Sequence, residues 1–284
     1  PVEHLTSVCN LMSKVIAICN QKGGTGKTTS AINISAYMAL AGKKALLVDL
    51  DPQANATSGV GVDRHQIKQS TYHILLEELS INQIIQKTAI PNLFLAPANL
   101  DLTGAEVELV SALGREYRLK RAIATIRDDY DFIIIDSPPS LGLLTINSLS
   151  AADAILIPVQ CEYYALEGLT QLTNTFNLVK NNLNPGLSIQ GVILTMADFR
   201  TNLTKEVINE VKKNFSGRVY DTVIPRSIRL SEAPSYGKPI AIYDKDNVGA
   251  KKYEELTQEI LGSETVSSKK NFDTVMQEPQ SQEA

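Results

Sequence analysis

The sequence predicts an α/β fold, a mostly parallel twisted sheet with helices on both faces. Three observations predict it. Apolar runs of strand length alternate with amphipathic stretches of helical period along most of the chain. A glycine-rich run, Lys22-Gly-Gly-Thr-Gly-Lys-Thr-Thr29, separates the first apolar run from the first helical one. A later run, Phe132-Ile-Ile-Ile, is apolar throughout and ends in Asp136, as suits a central parallel strand buried on both faces.

Taken in order, residues 1–13 read as an extension, with Met12 a natural start, and residues 14–261 as the globular domain. The expected strands are Val15–Cys19, Ala45–Val48, Leu93–Ala96, Phe132–Ile135, Ala154–Val159, Ile189–Leu194 and Val219–Val223. The expected helices are Thr28–Ala41, Thr71–Leu79, Arg115–Asp128, Leu143–Ser150, Leu166–Asn182, Lys205–Asn214 and Gly249–Leu261. In Leu166–Asn182, the residues Leu169, Leu172, Phe176 and Val179 recur at helical spacing, and Asn184-Pro-Gly186 marks the turn that follows. Residues 262–284 are polar, without apolar periodicity, and are expected to be a disordered tail.

The glycine-rich run carries the chemistry. Gly26-Lys27-Thr28 is the second half of a phosphate-binding P-loop, although Gln21 stands where the common pattern has its first glycine. Gly23, Gly24 and Gly26 let the backbone curl so that several N–H groups face one anion. The helix N-terminus and Lys27 add positive charge. Lys27 is expected on the β- and γ-phosphates, the Thr28 hydroxyl on Mg²⁺ and Thr29 on the α-phosphate. Lys22, at the loop mouth, has no evident task within one subunit. Together these residues place the chain among P-loop NTPases.

Two acid-bearing strand ends complete the reading. Asp49 and Asp51 follow the strand Ala45–Val48 and lie on the same side of the extended chain. Asp51 is expected to orient an attacking water, and the alternative for either acid is capping the turn at Pro52. Asp136 sits where open α/β sheets bind ligands and is expected to hold Mg²⁺, with Ser137-Pro138-Pro139 a stiff turn close to the γ-phosphate. Gln53–Asp63, with Gly59 and Gly61, is expected to move with the γ-phosphate, and the polar stretch Arg226–Tyr236 to lie near the base and a DNA-facing surface.

Composition narrows the function. The apolar and charged fractions are those of an ordinary globular enzyme. No apolar run nears the roughly 20 residues that span a bilayer, and His4, Asn10 and Lys14 break the early stretch that a signal peptide would need. Cys9, Cys19 and Cys161 fit no metal spacing. Cys19 reads as core filler, Cys161 as partly exposed, and free thiols suit a reducing cytosol. A net charge of −4 argues against coating DNA by bulk charge. Charge is segregated, however: Met196–Tyr253 holds eleven Lys and Arg against seven Asp and Glu. A solvated helical face is the competing explanation for Lys205, Lys212 and Lys213.

The residues resemble the ParA/Soj group of partitioning ATPases, the deviant Walker A class. The match runs through Lys22–Thr29, Val48–Thr57, Phe132–Pro139, Pro158–Gly168, Leu194–Leu203 and Val223–Pro239. Thr25, where relatives often carry valine, remains small and β-branched and is counted with the nucleotide-binding loop. The resemblance implies that Lys22 reaches the partner subunit's nucleotide in an ATP-bound homodimer, and that Asp51 positions the hydrolytic water. It implies that Pro225 belongs to the nucleotide site, with adenine between the Arg226–Tyr236 loop and Thr195–Ala197, and that Arg200 and Arg229 bind non-specific DNA. It further implies slow ATP hydrolysis stimulated by a ParB-type protein, in the cytoplasm at the nucleoid. The alternative is a MinD-like positioning ATPase acting at a membrane surface or on a scaffold. The C-terminal residues lack the basic amphipathic helix that a membrane role needs. A redox ATPase would need bridging cysteines that the chain does not supply, and nothing suggests a small-molecule kinase's acceptor pocket.

Overall fold

The computed structural model describes residues 13–275, apart from 78, 163 and 164. Its strands are β1 (Lys14–Ile18), β2 (Ala45–Asp49), β3 (Gln86–Lys87), β4 (Leu93–Ala96), β5 (Phe132–Asp136), β6 (Ala154–Gln160) and β7 (Ser188–Thr195). They form one sheet in the order β3-β4-β2-β5-β1-β6-β7. Every pairing is parallel except that of β3 with β4.

Alternation along the strands builds two cores. Val15, Ala17, Leu46, Val48, Ile133 and Ile135 face one helical layer. Ile16, Ile18, Ala45, Leu47, Phe132 and Ile134 face the other. The central strands are buried on both sides, which is why their sequences are apolar without a break.

The helices are α1 (Lys27–Leu40), α2 (Asn55–Gly59), α3 (Thr71–Leu76), α4 (Leu102–Glu108), α5 (Arg118–Ala124), α6 (Leu143–Ala151), α7 (Ala165–Asn182), α8 (Asn202–Asn214), α9 (Ile228–Glu232), α10 (Ile240–Tyr243) and α11 (Val248–Val275). Helix α1 is sandwiched between sheet and α11, and two of its buried polar residues find partners inside. Ser30 shares a hydrogen bond of 3.0 Å with the Tyr253 hydroxyl, and the Asn33 carbonyl accepts from the Ile240 N–H at 2.8 Å. Side chains cap other helix starts: the Ser70 hydroxyl accepts from the Tyr72 N–H, and the Thr201 hydroxyl from the Thr204 N–H.

Several elements depart from the sequence expectation. Val219–Val223 is not a ladder strand; it meets β7 at a single bridge between Val219 and Val192, and just past its end the Ile224 N–H donates to the Leu194 carbonyl and Pro225 bridges to Ala197. The reason is Glu259 on α11, whose carboxylate accepts the Asp221 and Thr222 N–H groups at 3.0 and 3.1 Å. Those donors are turned away from the sheet. The seventh strand is instead the short antiparallel β3. The expected helix Arg115–Asp128 breaks into 3₁₀ turns around α5. The last helix, expected to end at Leu261, continues to Val275. No proline interrupts the sequence before Pro279, and nothing else forces a stop. Residues 1–12, with Cys9, and 276–284 lie outside the described residues. Cys161, expected partly exposed, is buried in the β6–α7 core, and burial pushes its thiol up to about 11.

Candidate functional site

The loop between β1 and α1 is pinned from three directions. The Asn20 amide donates to the Pro158 carbonyl at 2.6 Å, and its carbonyl accepts the Lys22 N–H at 3.0 Å. The Thr195 hydroxyl, at the end of β7, donates to the Thr25 carbonyl at 2.9 Å. Gly24 and Gly26 have φ of +74° and +84°, which side-chain-bearing residues rarely adopt, so the curl depends on glycine at both. Thr25 is buried and holds the loop's shape, whereas Gly23 and Gly24 are exposed.

Lys27 opens α1 and is buried. Its ammonium donates to the Lys22 carbonyl at 3.2 Å. Burial holds its pKa below the ordinary value, while Asp136 and Asp51 pull it back up. A buried cation is thus set among acids and backbone donors, with Thr28 and Thr29 on the first turn behind it.

The sheet register delivers the acids. Asp49 and Asp136 are direct partners at the ends of β2 and β5, and Asp136 is also level with Ile18 at the end of β1. Asp49 is consumed by structure: its carboxylate accepts the Thr57 N–H and hydroxyl, each at 2.7 Å, and the Asp51 N–H at 3.1 Å. Burial still pushes it up to about 6. This is the turn-holding alternative among the sequence readings for Asp49. Asp51 is buried, and its carboxylate accepts the Gln53 N–H at 2.9 Å, which orients it at the mouth of the loop.

Asp136 differs. It is completely buried, and neither carboxylate oxygen has a hydrogen-bond partner. Burial, and then the Asp49 charge, hold its carboxyl well above the usual range, while Thr28 and Lys27 act in the opposite sense. An orphaned carboxylate beside a threonine hydroxyl and a lysine is costly unless a cation completes it. Hard oxygen donors of this kind suit Mg²⁺.

Two cavities adjoin the loop. Gly26, Thr29, Thr195, Met196, Pro225 and Tyr253 line one of about 130 Å³. Thr28, Thr29, Asn55, Ser58, Arg64 and Ser235 line another of about 480 Å³. The first joins the two segments expected around the base. Met196 enters it with φ of +53°, a conformation that its sequence gives no reason to expect. The Gln53–Asp63 loop is held more firmly than its glycines suggest. A Cβ on Gly59 would strike Ile32, and Gly61 abuts the backbone of Gly237 so closely that neither has room for a side chain.

The expected DNA-contacting arginines line neither cavity beside the loop, and each is paired. Arg200 forms a two-pronged bond with Asp198 at 2.6 and 2.8 Å, which holds the Asp198 carboxyl down to about 2. Arg229 pairs with Glu232 at 3.2 Å and Asp244 at 3.5 Å. Lys22 pairs with Glu162 at 3.4 Å. Glu162 had drawn no role from the sequence, because 140 residues separate it from Lys22 and only the fold joins them.

A family model described as an AAA domain matches residues 13–189. The sporulation initiation inhibitor protein Soj of Bacillus subtilis is 57% identical over 252 residues, covering 89% of this chain and 100% of that protein. The chromosome partitioning protein ParA of Myxococcus xanthus is 50% identical over 257 residues, covering 90% of this chain and 91% of its own length. Among solved structures, a cobyrinic acid a,c-diamide synthase of Mycobacterium smegmatis with bound ATP analogue and magnesium is 36% identical. It covers 88% of this chain and 94% of that one, with a TM-score of 0.78.

Proposed function

The chain belongs to the ParA/Soj family of partitioning ATPases, and from that premise we propose that it is a DNA-partitioning switch whose ATP-bound dimer holds non-specific DNA. It is an ATP hydrolase working with ATP and Mg²⁺. The observation that carries the partitioning reading is the end-to-end likeness to Soj, because the nucleotide site alone would serve many ATPases of this fold.

The loop N–H groups and Lys27 bind the triphosphate. Thr28 and Asp136 hold Mg²⁺, which supplies charge neutralisation at the phosphates. Asp51 orients the attacking water, a reading supported by the bond from its N–H to Asp49 and by the Gln53 N–H on its carboxylate. Pro225 and Met196 flank the base. Lys22 crosses to the partner subunit's nucleotide, and Arg200 and Arg229 then meet DNA phosphates across two subunits. A ParB-type protein stimulates hydrolysis, the dimer parts and DNA is released. The chain works in the cytoplasm at the nucleoid. Among the described residues no helix is long and apolar enough to cross a membrane.

The test is DNA retention with ATP, ADP or no nucleotide, for wild type and Asp51→Ala. Retention should need ATP and should persist in the variant. Retention independent of nucleotide would remove the reading, and sedimentation with anionic liposomes instead of DNA would favour the membrane alternative.

A further inference from the structure

Glu162 follows β6 and stands between two cations from distant parts of the chain. Its Oε2 lies 3.4 Å from Lys22 Nζ, and its Oε1 lies 3.4 Å from Arg226 Nη2. The Gln160 amide steadies the carboxylate by donating to Oε1. Lys22 belongs to the phosphate loop. Arg226 lines the smaller cavity with Gly26, Thr195 and Met196, and its backbone N–H donates to the Ala197 carbonyl at 3.0 Å, at the head of the segment that carries Arg200. One carboxylate therefore joins the phosphate loop to the segment that is bonded to the base of the Arg200 loop.

The acids on Arg200 and Arg229 are different in kind. Asp198 is two residues from Arg200, and Glu232 three from Arg229. Those pairs are local and report nothing about the nucleotide. Glu162 is 140 residues from Lys22 and 64 from Arg226, so its bridge exists only in the folded arrangement of both regions. The side chains of Lys22, Glu162 and Arg226 are 41%, 45% and 61% exposed. Pairs this open are weak and exchange readily with competing anions. They suit a restraint that a phosphate can displace.

We propose that Glu162 is a positioning residue that restrains Lys22 and Arg226 together in the single subunit. It holds Lys22 back from a partner's triphosphate and Arg226 back from a polyanion. Because one carboxylate serves both cations, the release of either leaves the other more tightly held. A single subunit that spends Arg226 on a phosphate therefore keeps its Lys22 more firmly at home, which disfavours DNA-bound monomers as partners for dimerisation. This rests on the reading of Lys22 and the arginine surface given above.

The test is Glu162→Gln, which keeps shape and removes charge. Nucleotide-free DNA retention should rise about 2- to 5-fold, and ATP-dependent dimers should form at a protein concentration lower by a similar factor. Adding Arg226→Ala should cancel the gain in DNA retention and leave the gain in dimerisation. A Glu162→Gln protein unchanged in both assays, or one that dimerises less well, overturns the proposal. So does a gain in DNA retention that survives Arg226→Ala, since that is a bulk charge effect. If wild type binds no DNA in any nucleotide state, the partitioning reading fails, and the dimerisation arm still decides the role of Glu162.

Discussion

Asp49 and Asp136 stand side by side at the ends of β2 and β5, both fully buried, yet Asp49 accepts three hydrogen bonds and Asp136 none. The register makes them look equivalent; their partners make Asp49 a strut and leave the Asp136 oxygens without a hydrogen bond.

Truncating the strut should destabilise the fold. Asp49→Ala leaves the buried Thr57 N–H and hydroxyl and the Asp51 N–H without their acceptor. At about 1–3 kcal/mol for a buried unsatisfied group, partly relieved by relaxation, the expected loss is about 3 kcal/mol. Urea unfolding at neutral pH checks it, and a loss below about 1 kcal/mol contradicts the assignment.

The pH dependence follows from the same pair. Both folded-state carboxyls lie above the unfolded value near 3.8, Asp49 at about 6, so the fold binds protons more tightly than the unfolded chain. Stability from these groups is complete below the unfolded value and is lost as pH rises through the folded values. Without nucleotide or metal, Asp136→Asn should melt above wild type at pH 8, by about 3 °C or more, and the gap should close towards pH 5. Magnesium-dependent nucleotide binding by wild type should move the other way, strengthening as Asp136 loses its proton. Melting curves at the two pH values suffice, and a gap that ignores pH refutes the argument.

Lys22→Ala should bind ATP nearly as well as wild type, because Lys27 and the backbone donors remain. It should no longer dimerise with ATP. Sedimentation velocity separates these outcomes, and normal dimerisation takes the crossing role from Lys22.

Arg229→Glu should abolish DNA retention while ATP-dependent dimerisation survives. The substitution sets a third acid beside Glu232 and Asp244, whose partner it removes. The side chain is exposed and its pairs are open to solvent, so the fold should keep its stability. Fluorescence anisotropy on duplex DNA across a salt series reads the effect. Undiminished binding at low salt excludes Arg229 from the contact.

The central machinery was legible because its physics is local. Phe132–Ile135 must be apolar where both sheet faces are covered, and Gly24 and Gly26 must be glycine where φ is positive. The parts that escaped depend on partners far along the chain. Residues 219–223 have strand-like side chains, but Glu259 takes their donors. Cys161 looked like a residue just past a strand end, but the β7 carbonyl of Thr195 carries its backbone inward. Glu162 lay in a segment that matched relatives, yet its two cations are visible only once the fold brings them together. Asp49 and Asp51 were indistinguishable by alternation, and Thr57 separates them.

The abutment of Gly61 on Gly237 means that the chain after Asp51 and the chain after Arg229 meet like meshed teeth, with only hydrogens between them. Neither segment can move toward the other there, so a side chain of any size at either glycine would have to push the two loops apart.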